Sequence, residues 1–120
     1  MYKISKQFAF SASHILHGLP DEHPCSRLHG HNYVVIVHLK GKELNETGFI
    51  KDYRELNNVK EYIDNVLDHR HLNDVLPFNP TAENMAKYLY DTFKKDIPEL
   101  YAVEVCETPK TSAIYEADGE

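Results

Sequence analysis

Hydrophobic and polar residues alternate along the first part of the chain. The even-numbered positions from residue 2 to residue 14 are mostly apolar, with Lys6 as the polar exception. The others are Tyr2, Ile4, Phe8, Phe10, Ala12 and His14. Such alternation is typical of a half-buried strand and predicts one over residues 2–14. Residues 31–40 (HNYVVIVHLK) predict a second strand with two largely apolar faces, and we expect both faces to be covered. Two shorter strands are predicted at residues 101–107 and 112–116.

Two helices are predicted between these pairs of strands. Asp52 and Glu55 form a capping box that predicts the start of the first helix, which should end near Asp68. Thr81 is the predicted N-cap of the second helix, after a loop over residues 70–80. The helices carry apolar stripes at helical spacing, namely Leu56, Val59, Ile63 and Val66 in the first and Met85, Leu89, Phe93 and Ile97 in the second.

The predicted order of elements is β-β-α-α-β-β. Two pairs of strands separated by a block of helices indicate an α+β domain, with both helices on one face of an antiparallel sheet. We expect a single domain over residues 1–120. Such a sheet has open edges and an uncovered face, so assembly into a homo-oligomer would be a natural way to cover both. Residues 15–30 form a long loop for a domain of this size, and such loops are usually functional.

The composition narrows the class of protein. Of the 120 residues, 42% are hydrophobic and 27% are charged, an ordinary balance for a globular domain. The formal net charge is −6 and no basic stripe is visible, so we expect no nucleic-acid partner. No apolar run is long enough to span a bilayer, and the first residues lack a signal-peptide pattern. We therefore expect a cytoplasmic protein with no membrane partner, in which Cys25 and Cys106 are free thiols.

Histidines are concentrated at the two ends of the long loop. His29 and His31 flank Gly30, and side chains two residues apart in an extended chain point to the same face. His14 ends the first strand, so a hairpin around the loop would bring the three imidazoles together. Three neutral imidazoles with an open fourth position predict a catalytic zinc site, with one ion per chain. Cys25 offers an alternative, since as a fourth ligand it would close a structural zinc site.

Four further residues are candidates for acid–base or anchoring roles. Cys25 lies four residues before His29, and a thiol near zinc and imidazoles has a lowered pKa and acts as a base or nucleophile. Asp68 would orient His69 to exchange a proton with Cys25, or else both residues only favour the end of the helix. Glu107 is the last residue of a predicted strand and lies on the same face as Val103 and Val105. A carboxylate on an apolar face is costly unless it is paired. It is either an ordinary strand-end charge or the anchor for a ligand with two N–H donors.

These pieces together resemble the 6-pyruvoyltetrahydropterin synthase superfamily. The resemblance is carried along almost the whole chain by residues 10–14 (FSASH), 25–32 (CSRLHGHN), 48–53 (GFIKDY), 67–69 (LDH), 72–73 (LN), 79–84 (NPTAEN) and 107–108 (ET). It implies the tunnelling fold (T-fold), in which three subunits pair edge to edge into a twelve-stranded barrel and two trimers stack into a hexamer. It also implies an active site between subunits, so that Cys25 and the pair Asp68 and His69 would come from different chains.

The spacing after Cys25 resembles one branch of that superfamily. Three residues separate Cys25 from His-Gly-His, as in the 6-carboxytetrahydropterin synthases of queuosine (7-deazaguanine) biosynthesis, whereas the pyruvoyl-forming branch usually has a longer insert. The substrate implied is 7,8-dihydroneopterin triphosphate, and the products are 6-carboxy-5,6,7,8-tetrahydropterin, acetaldehyde and triphosphate. Pyruvoyl formation, or aldolase-like cleavage of the pterin side chain on the same fold, is the first alternative. A non-catalytic module with structural zinc is the second.

The resemblance implies a role for each candidate residue. The zinc ligands would be His14, His29 and His31. The proton-transfer group would consist of Cys25, Asp68 and His69. In this scheme Cys25 removes a proton from the substrate side chain, and the other two relay protons. Glu107, counted with the catalytic residues, would hold the pterin with help from Thr81, and Arg27 is the candidate for binding the triphosphate.

Overall fold

The first two strands form a long antiparallel hairpin on which the rest of the chain is built. In the computed structural model, which describes residues 1–118, β1 (Tyr2–His14) pairs with β2 (His29–Gly41) along its whole length. The pairing runs from Tyr2 opposite Gly41 to His14 opposite His29. The predicted hairpin is therefore confirmed, with the second strand beginning two residues earlier than the pattern indicated.

Three further strands complete a five-stranded sheet. They are β3 (Arg70–His71), β4 (Leu100–Thr108) and β5 (Thr111–Glu116), and the order across the sheet is β3-β1-β2-β4-β5. The pairs β1–β2, β2–β4 and β4–β5 are antiparallel, whereas β3 runs parallel to β1 opposite Ala12 and Ser13. The α+β class is confirmed, but the sheet is mixed and not purely antiparallel. The two-residue strand β3 lies in a segment where the sequence predicted only a loop.

The first predicted helix consists of three consecutive short segments of different helix type. Asp52 accepts a hydrogen bond from the Arg54 N–H at 2.9 Å, so its role as N-cap is confirmed. A 3₁₀ turn (Tyr53–Leu56) leads into α1 (Asn57–Tyr62), and a π-helical turn (Ile63–Leu67) follows. The side chain of Glu55, which was predicted to complete the capping box with Asp52, lies 3.9 Å from Lys51 Nζ.

A π-helical turn lies at the end of the predicted apolar stripe. The Asp68 N–H donates to the Ile63 carbonyl at 2.9 Å, a bond that spans five residues where an α-helix spans four. Leu67 is fully buried, and Val66 is half-buried and packs against the core. The predicted stripe of Leu56, Val59, Ile63 and Val66 therefore faces the core, and Leu67 is a further buried residue beside it.

The second predicted helix follows a short helical turn, α2 (Leu72–Val75), and is α3 (Ala82–Lys94). The Thr81 hydroxyl accepts a hydrogen bond from the Asn84 N–H at 3.1 Å, which confirms the predicted N-cap. The apolar stripe is buried as predicted, although Ile97 lies beyond the end of the helix.

Both helical segments pack on one face of the sheet. On β2 that face carries fully buried Tyr33, Val35, Val37 and Leu39. The opposite face carries half-buried Val34, Ile36 and His38, so within one chain only one of the two apolar faces is covered. Among the described residues, none of the helices has the length and apolar character needed to cross a membrane.

Candidate metal centre and active site

The end of the β1–β2 hairpin brings three histidines together. His14 and His29 are opposite each other in the last pair of the ladder, and His31 lies two residues further along β2 on the same face. One ring nitrogen from each residue lies within 4.8 Å of the other two. His14 is fully buried and the other two are half-buried. The predicted convergence of these three side chains is therefore present in the structure.

The backbone around the cluster fixes the protonation of two of the rings. The His14 Nδ1–H donates to the Pro80 carbonyl at 2.9 Å, with the Tyr33 hydroxyl 3.2 Å away, and the His29 Nδ1–H donates to the Arg27 carbonyl at 2.7 Å. A carbonyl oxygen can only accept, so in both neutral rings the proton is on Nδ1 and the lone pair is on Nε2. Carbonyl partners of this kind commonly orient metal-binding imidazoles.

The nitrogens left free in this way fit a bound cation. The Nε2 atoms of His14 and His29 lie 2.9 Å apart, where two lone pairs repel each other unless a positive charge lies near both. The Nε2 of His31 is buried and makes no hydrogen bond, although Glu107 Oε2 lies 3.2 Å away. Burial lowers the pKa of His14 and of His31, which keeps these rings in the neutral form that a metal requires. Zinc suits this donor set, since three imidazoles with an open position are typical of its catalytic sites.

Glu107 lies beside the three histidines, near the end of β4. Its Oε2 is 3.2 Å from His31 Nε2 and 3.8 Å from His14 Nε2, and its side chain is about one quarter exposed. It also lines a cavity of about 140 Å³ together with Ala82 at the start of α3. Thr81, the residue before Ala82, uses its hydroxyl oxygen as the helix cap, and its O–H hydrogen is not consumed by that bond. A ligand in this cavity would thus contact the carboxylate and lie next to the three histidines.

Cys25 is held in the loop by its own backbone. It lies in a 3₁₀ turn (Pro24–Ser26), where its N–H donates to His23 Nδ1 at 3.0 Å and its carbonyl accepts from the Leu16 N–H at 3.0 Å. Its side chain is half-buried. Within residues 1–118 the group of side chains that could hold a metal ion consists of the three histidines without Cys25. The geometry of the described chain therefore does not support the alternative in which Cys25 closes a structural zinc site.

Asp68 and His69 form a hydrogen-bonded pair next to β1. Asp68 Oδ2 is 2.9 Å from His69 Nδ1, and Asp68 Oδ1 accepts from the Ser11 N–H at 2.9 Å. The Ser11 N–H and, after it, the His69 ring hold the pKa of the Asp68 carboxyl below its usual range. His69 has a φ of 59°, in the left-handed region, and its N–H donates to the Ser11 carbonyl at 2.7 Å. Strained backbone of this kind concentrates at functional sites. The ring is 82% exposed, so Asp68 orients an imidazole that faces outward.

Two residues near the site carried a weaker signal in the sequence or none. Tyr33, whose hydroxyl reaches His14, shares the strand parity of His29 and His31, and this parity could have identified it. Arg70 lines an open cavity of about 470 Å³ together with His31 and His69, whereas Arg27 is exposed in the loop. Only the β3 pairing brings Arg70 to this cavity, and nothing in the local sequence predicts that pairing.

Comparison with known proteins identifies the family. The family model described as 6-pyruvoyl tetrahydropterin synthase matches residues 3–118. The chain belongs to this family. The 6-pyruvoyl tetrahydrobiopterin synthase of Homo sapiens is 33% identical over 133 aligned residues, covering 97% of this chain and 92% of the human protein. The structure of Caenorhabditis elegans 6-pyruvoyl tetrahydropterin synthase superposes with a TM-score of 0.86 at 30% identity, covering 98% of this chain and 96% of that one.

A relative named for a different product has nearly the same sequence identity. The 6-carboxy-5,6,7,8-tetrahydropterin synthase of Bacillus subtilis (strain 168) is 32% identical over 129 aligned residues, covering 95% of this chain and 84% of the bacterial protein. A difference of one percentage point between relatives of two product branches does not distinguish the branches. The family is therefore established, while the product must be inferred from the site.

Proposed function

We propose that this protein is a zinc-dependent lyase that converts 7,8-dihydroneopterin triphosphate and water to 6-carboxy-5,6,7,8-tetrahydropterin, acetaldehyde and triphosphate. The observation that carries the proposal is the cluster of three imidazole nitrogens with the Glu107 carboxylate 3.2 Å from one of them. It offers a metal position open to substrate, next to an acceptor for the N–H groups of a pterin. Membership of the tetrahydropterin synthase family supports the substrate class.

The metal would be one zinc ion per subunit, bound by His14, His29 and His31. When bound, zinc supplies Lewis acidity that lowers the pKa of the substrate's side-chain hydroxyls. The residues contribute the geometry, because the Pro80 and Arg27 carbonyls hold two of the rings with Nε2 directed into the cluster.

Cys25, Asp68 and His69 would carry the proton transfers. Cys25 acts as the base that removes a proton from the substrate side chain, and His69, oriented by Asp68 at 2.9 Å, returns and relays protons. Because the His69 ring is 82% exposed, we infer that it serves the site of a neighbouring subunit. Positioned acid–base groups of this kind contribute roughly 10²- to 10⁴-fold each.

Glu107 would hold the pterin. Its carboxylate accepts the amino and ring N–H groups of the pterin, and Thr81, the residue before Ala82 of that cavity, offers a further hydrogen bond. Charge-assisted, two-point contacts of this type fix orientation as well as affinity. Arg27 remains our candidate for the triphosphate.

The choice of carboxy product rests on the three residues between Cys25 and His29. The test is incubation of the zinc-loaded protein with 7,8-dihydroneopterin triphosphate, with mass analysis of the pterin and detection of acetaldehyde. Equal amounts of 6-carboxytetrahydropterin, acetaldehyde and triphosphate are expected. Release of triphosphate without acetaldehyde would reject this branch in favour of pyruvoyl formation. A 6-hydroxymethylpterin would indicate aldolase-like cleavage.

A second candidate, a structural zinc module, makes a different prediction for Cys25→Ala. If Cys25 is a base, the variant keeps its zinc and its fold and loses turnover. If Cys25 is a structural ligand, the variant loses zinc and unfolds. The composition of the cluster over residues 1–118 favours the first result.

We also propose a homo-oligomer, a trimer or a dimer of trimers, with active sites between subunits. Within residues 1–118, β3 pairs with β1 only at Ala12 and Ser13, so the rest of β1 forms one open edge of the sheet and β5 forms the other. These two strands carry the exposed apolar side chains of Tyr2 and Ile114, as expected where strands of neighbouring subunits pair. Light scattering on the purified protein tests the assembly, and a monomer would contradict it. Two expectations stay predictions, namely a single domain over residues 1–120 and a cytoplasmic location. Residues 119 and 120 lie outside the described part of the chain.

A further inference from the structure

The loop that carries Cys25 has little apolar anchoring. Between Ile15 and Leu28 every side chain is half-buried or exposed, and Leu28 is 64% exposed. A segment with few buried apolar contacts opens easily unless polar contacts hold it. What fixes Cys25 relative to the histidines must therefore be sought in hydrogen bonds.

Asn73 binds the start of this loop through both ends of its side-chain amide. Its Oδ1 accepts from the Ile15 N–H at 2.9 Å, and its Nδ2 donates to the Ile15 carbonyl at 2.8 Å. The same Nδ2 is 3.2 Å from His17 Nε2. Asn73 lies in α2, 58 residues further along the chain, so this contact ties the loop to a separate element.

Asn79 makes the same paired contact two residues along the loop. Its Oδ1 accepts from the His17 N–H at 2.9 Å, and its Nδ2 donates to the His17 carbonyl at 3.1 Å. Two amides that each satisfy the N–H and C=O of alternate residues reproduce the bonds of a neighbouring strand. Between the two contacts, the Leu16 N–H donates to the Cys25 carbonyl at 3.0 Å.

Asn79 also belongs to the segment that orients a histidine of the cluster. The next residue, Pro80, accepts the His14 Nδ1–H at 2.9 Å. The Asn79 carbonyl in turn accepts from the Thr81 N–H at 2.8 Å and from Asn84 Nδ2 at 2.9 Å. One short segment thus fixes both the His14 ring and the loop that carries the thiol.

We propose that Asn73 and Asn79 are positioning residues, which hold the Cys25 loop in register with His14 so that the thiol and the three histidines act on one substrate. We call these paired contacts of Asn73 and Asn79 with the loop the clamp. The clamp is a property of the fold, whereas its effect on turnover rests on the proposed function. A misplacement of about 1 Å at a reacting group can cost roughly 10²-fold in rate, so this positioning matters for catalysis.

The test compares Asn73→Ala and Asn79→Ala with the wild-type protein in its zinc-loaded form. Asn57→Ala, an exposed position at the start of α1, is the matched control. Asn73→Asp and Asn79→Asp are second variants, because each keeps the acceptor oxygen and the size of the side chain while it replaces the N–H donor with a charged oxygen that faces a carbonyl. They keep the proposal testable if an alanine variant fails to fold.

Three readouts separate positioning from general destabilisation. Alkylation by iodoacetamide compares Cys25 with Cys106, whose thiol pKa is raised by burial and which serves as an internal reference on β4. Hydrogen exchange reports the amides of Ile15 and His17. Turnover of 7,8-dihydroneopterin triphosphate reports kcat and KM separately.

For the alanine variants we expect the rate of Cys25 alkylation and the rates of amide exchange at Ile15 and His17 to increase by about tenfold, the scale of one net hydrogen bond. The alkylation rate of Cys106 should stay unchanged. We expect kcat to fall by roughly 10- to 100-fold with KM and zinc content near wild type. Equal acceleration at Cys25 and Cys106 would overturn the proposal, because it indicates global loosening. Values equal to those of Asn57→Ala would overturn it as well. If the chemical readouts respond while the wild-type protein has no turnover, the clamp stands and the proposed function fails.

Discussion

His14 and His29 face each other in the last pair of the β1–β2 ladder, and their Nε2 atoms lie 2.9 Å apart. The candidate metal centre is therefore built into the register of the hairpin. A slip of one residue would turn His29 and His31 to the opposite face of the sheet and dismantle the cluster. Zinc binding and correct strand pairing should stabilise each other.

Replacing one of these ligands should abolish zinc binding without disrupting the sheet. For His29→Gln we expect the zinc content to fall from about one ion per chain to a small fraction, since two imidazoles remain of a three-ligand site. The thermal stabilisation by added zinc should disappear with it. Metal analysis and unfolding scans with and without zinc measure both effects. His38→Gln, on the opposite sheet face beside Glu104, is the control and should keep its zinc. Full zinc content in His29→Gln would contradict the assignment.

The metal-free protein should lose stability as the pH falls below neutrality. Burial lowers the pKa values of His14 and His31 in the folded state below 6.5, the ordinary value of a histidine. At a pH between 6.5 and these lowered values, the unfolded chain therefore binds more protons than the folded chain. Stability is then complete above about pH 6.5 and decreases as the pH falls toward the folded-state values. Urea unfolding in a chelating buffer from pH 8 to pH 5 measures this slope. It should be smaller in His14→Gln and unchanged in His38→Gln. Equal slopes in all three proteins would mean that protonation of the buried His14 ring does not cause the loss of stability.

The cluster of three histidines was predictable because it depends on local sequence pattern. Strand parity places His29 and His31 on one face, and a hairpin that joins two predicted strands necessarily brings His14 to them. The contacts around the cluster depend instead on the tertiary fold. The bond from His14 to Pro80 spans 66 residues, and the bond from Ser11 to Asp68 spans 57. Propensity and periodicity carry no information at that separation.

The same distinction explains the errors along the chain. Asp52 and Thr81 were identifiable as helix caps because capping depends on the next few residues. The π-helical turn (Ile63–Leu67) precedes the left-handed His69, whose N–H donates to the carbonyl of Ser11 in β1. That arrangement serves the placement of Asp68 and His69 and departs from regular helical spacing. The local rule fails where the candidate site begins.

Glu107→Gln should separate ligand binding from metal binding. The substitution keeps the size of the side chain and removes the negative charge that accepts the pterin N–H groups. We expect pterin affinity to fall by about 10- to 100-fold, on the scale of hydrogen bonds to a charged group, while zinc content stays near that of the wild type. Calorimetric titration with a non-reactive pterin and metal analysis measure the two quantities. Glu104→Gln, three residues away on β4, is the control and should bind pterin normally. If Glu107→Gln loses zinc instead, the carboxylate belongs to the metal site.

Thr81→Ala should reduce both stability and pterin binding. The hydroxyl caps α3 by accepting the Asn84 N–H at 3.1 Å, and loss of such a cap costs about 1 kcal/mol in the free energy of unfolding. Thr81→Ser keeps the hydroxyl and should retain both properties. Urea unfolding and the pterin titration test the pair of variants. A Thr81→Ala protein with weaker stability and unchanged pterin affinity would restrict Thr81 to the role of a cap.

Asp68→Asn should impair turnover while leaving the fold and the metal site intact. The asparagine keeps an oxygen that accepts the Ser11 N–H, so the contact between this residue and β1 survives. It removes the carboxylate that orients His69, and we expect kcat to fall by roughly 10²-fold or more. Steady-state kinetics measure this effect. Asp64→Asn, which breaks a surface ion pair with Lys60, should leave kcat unchanged. A kcat within twofold of wild type in Asp68→Asn would mean that the pair only ends the helix, the alternative that the sequence left open.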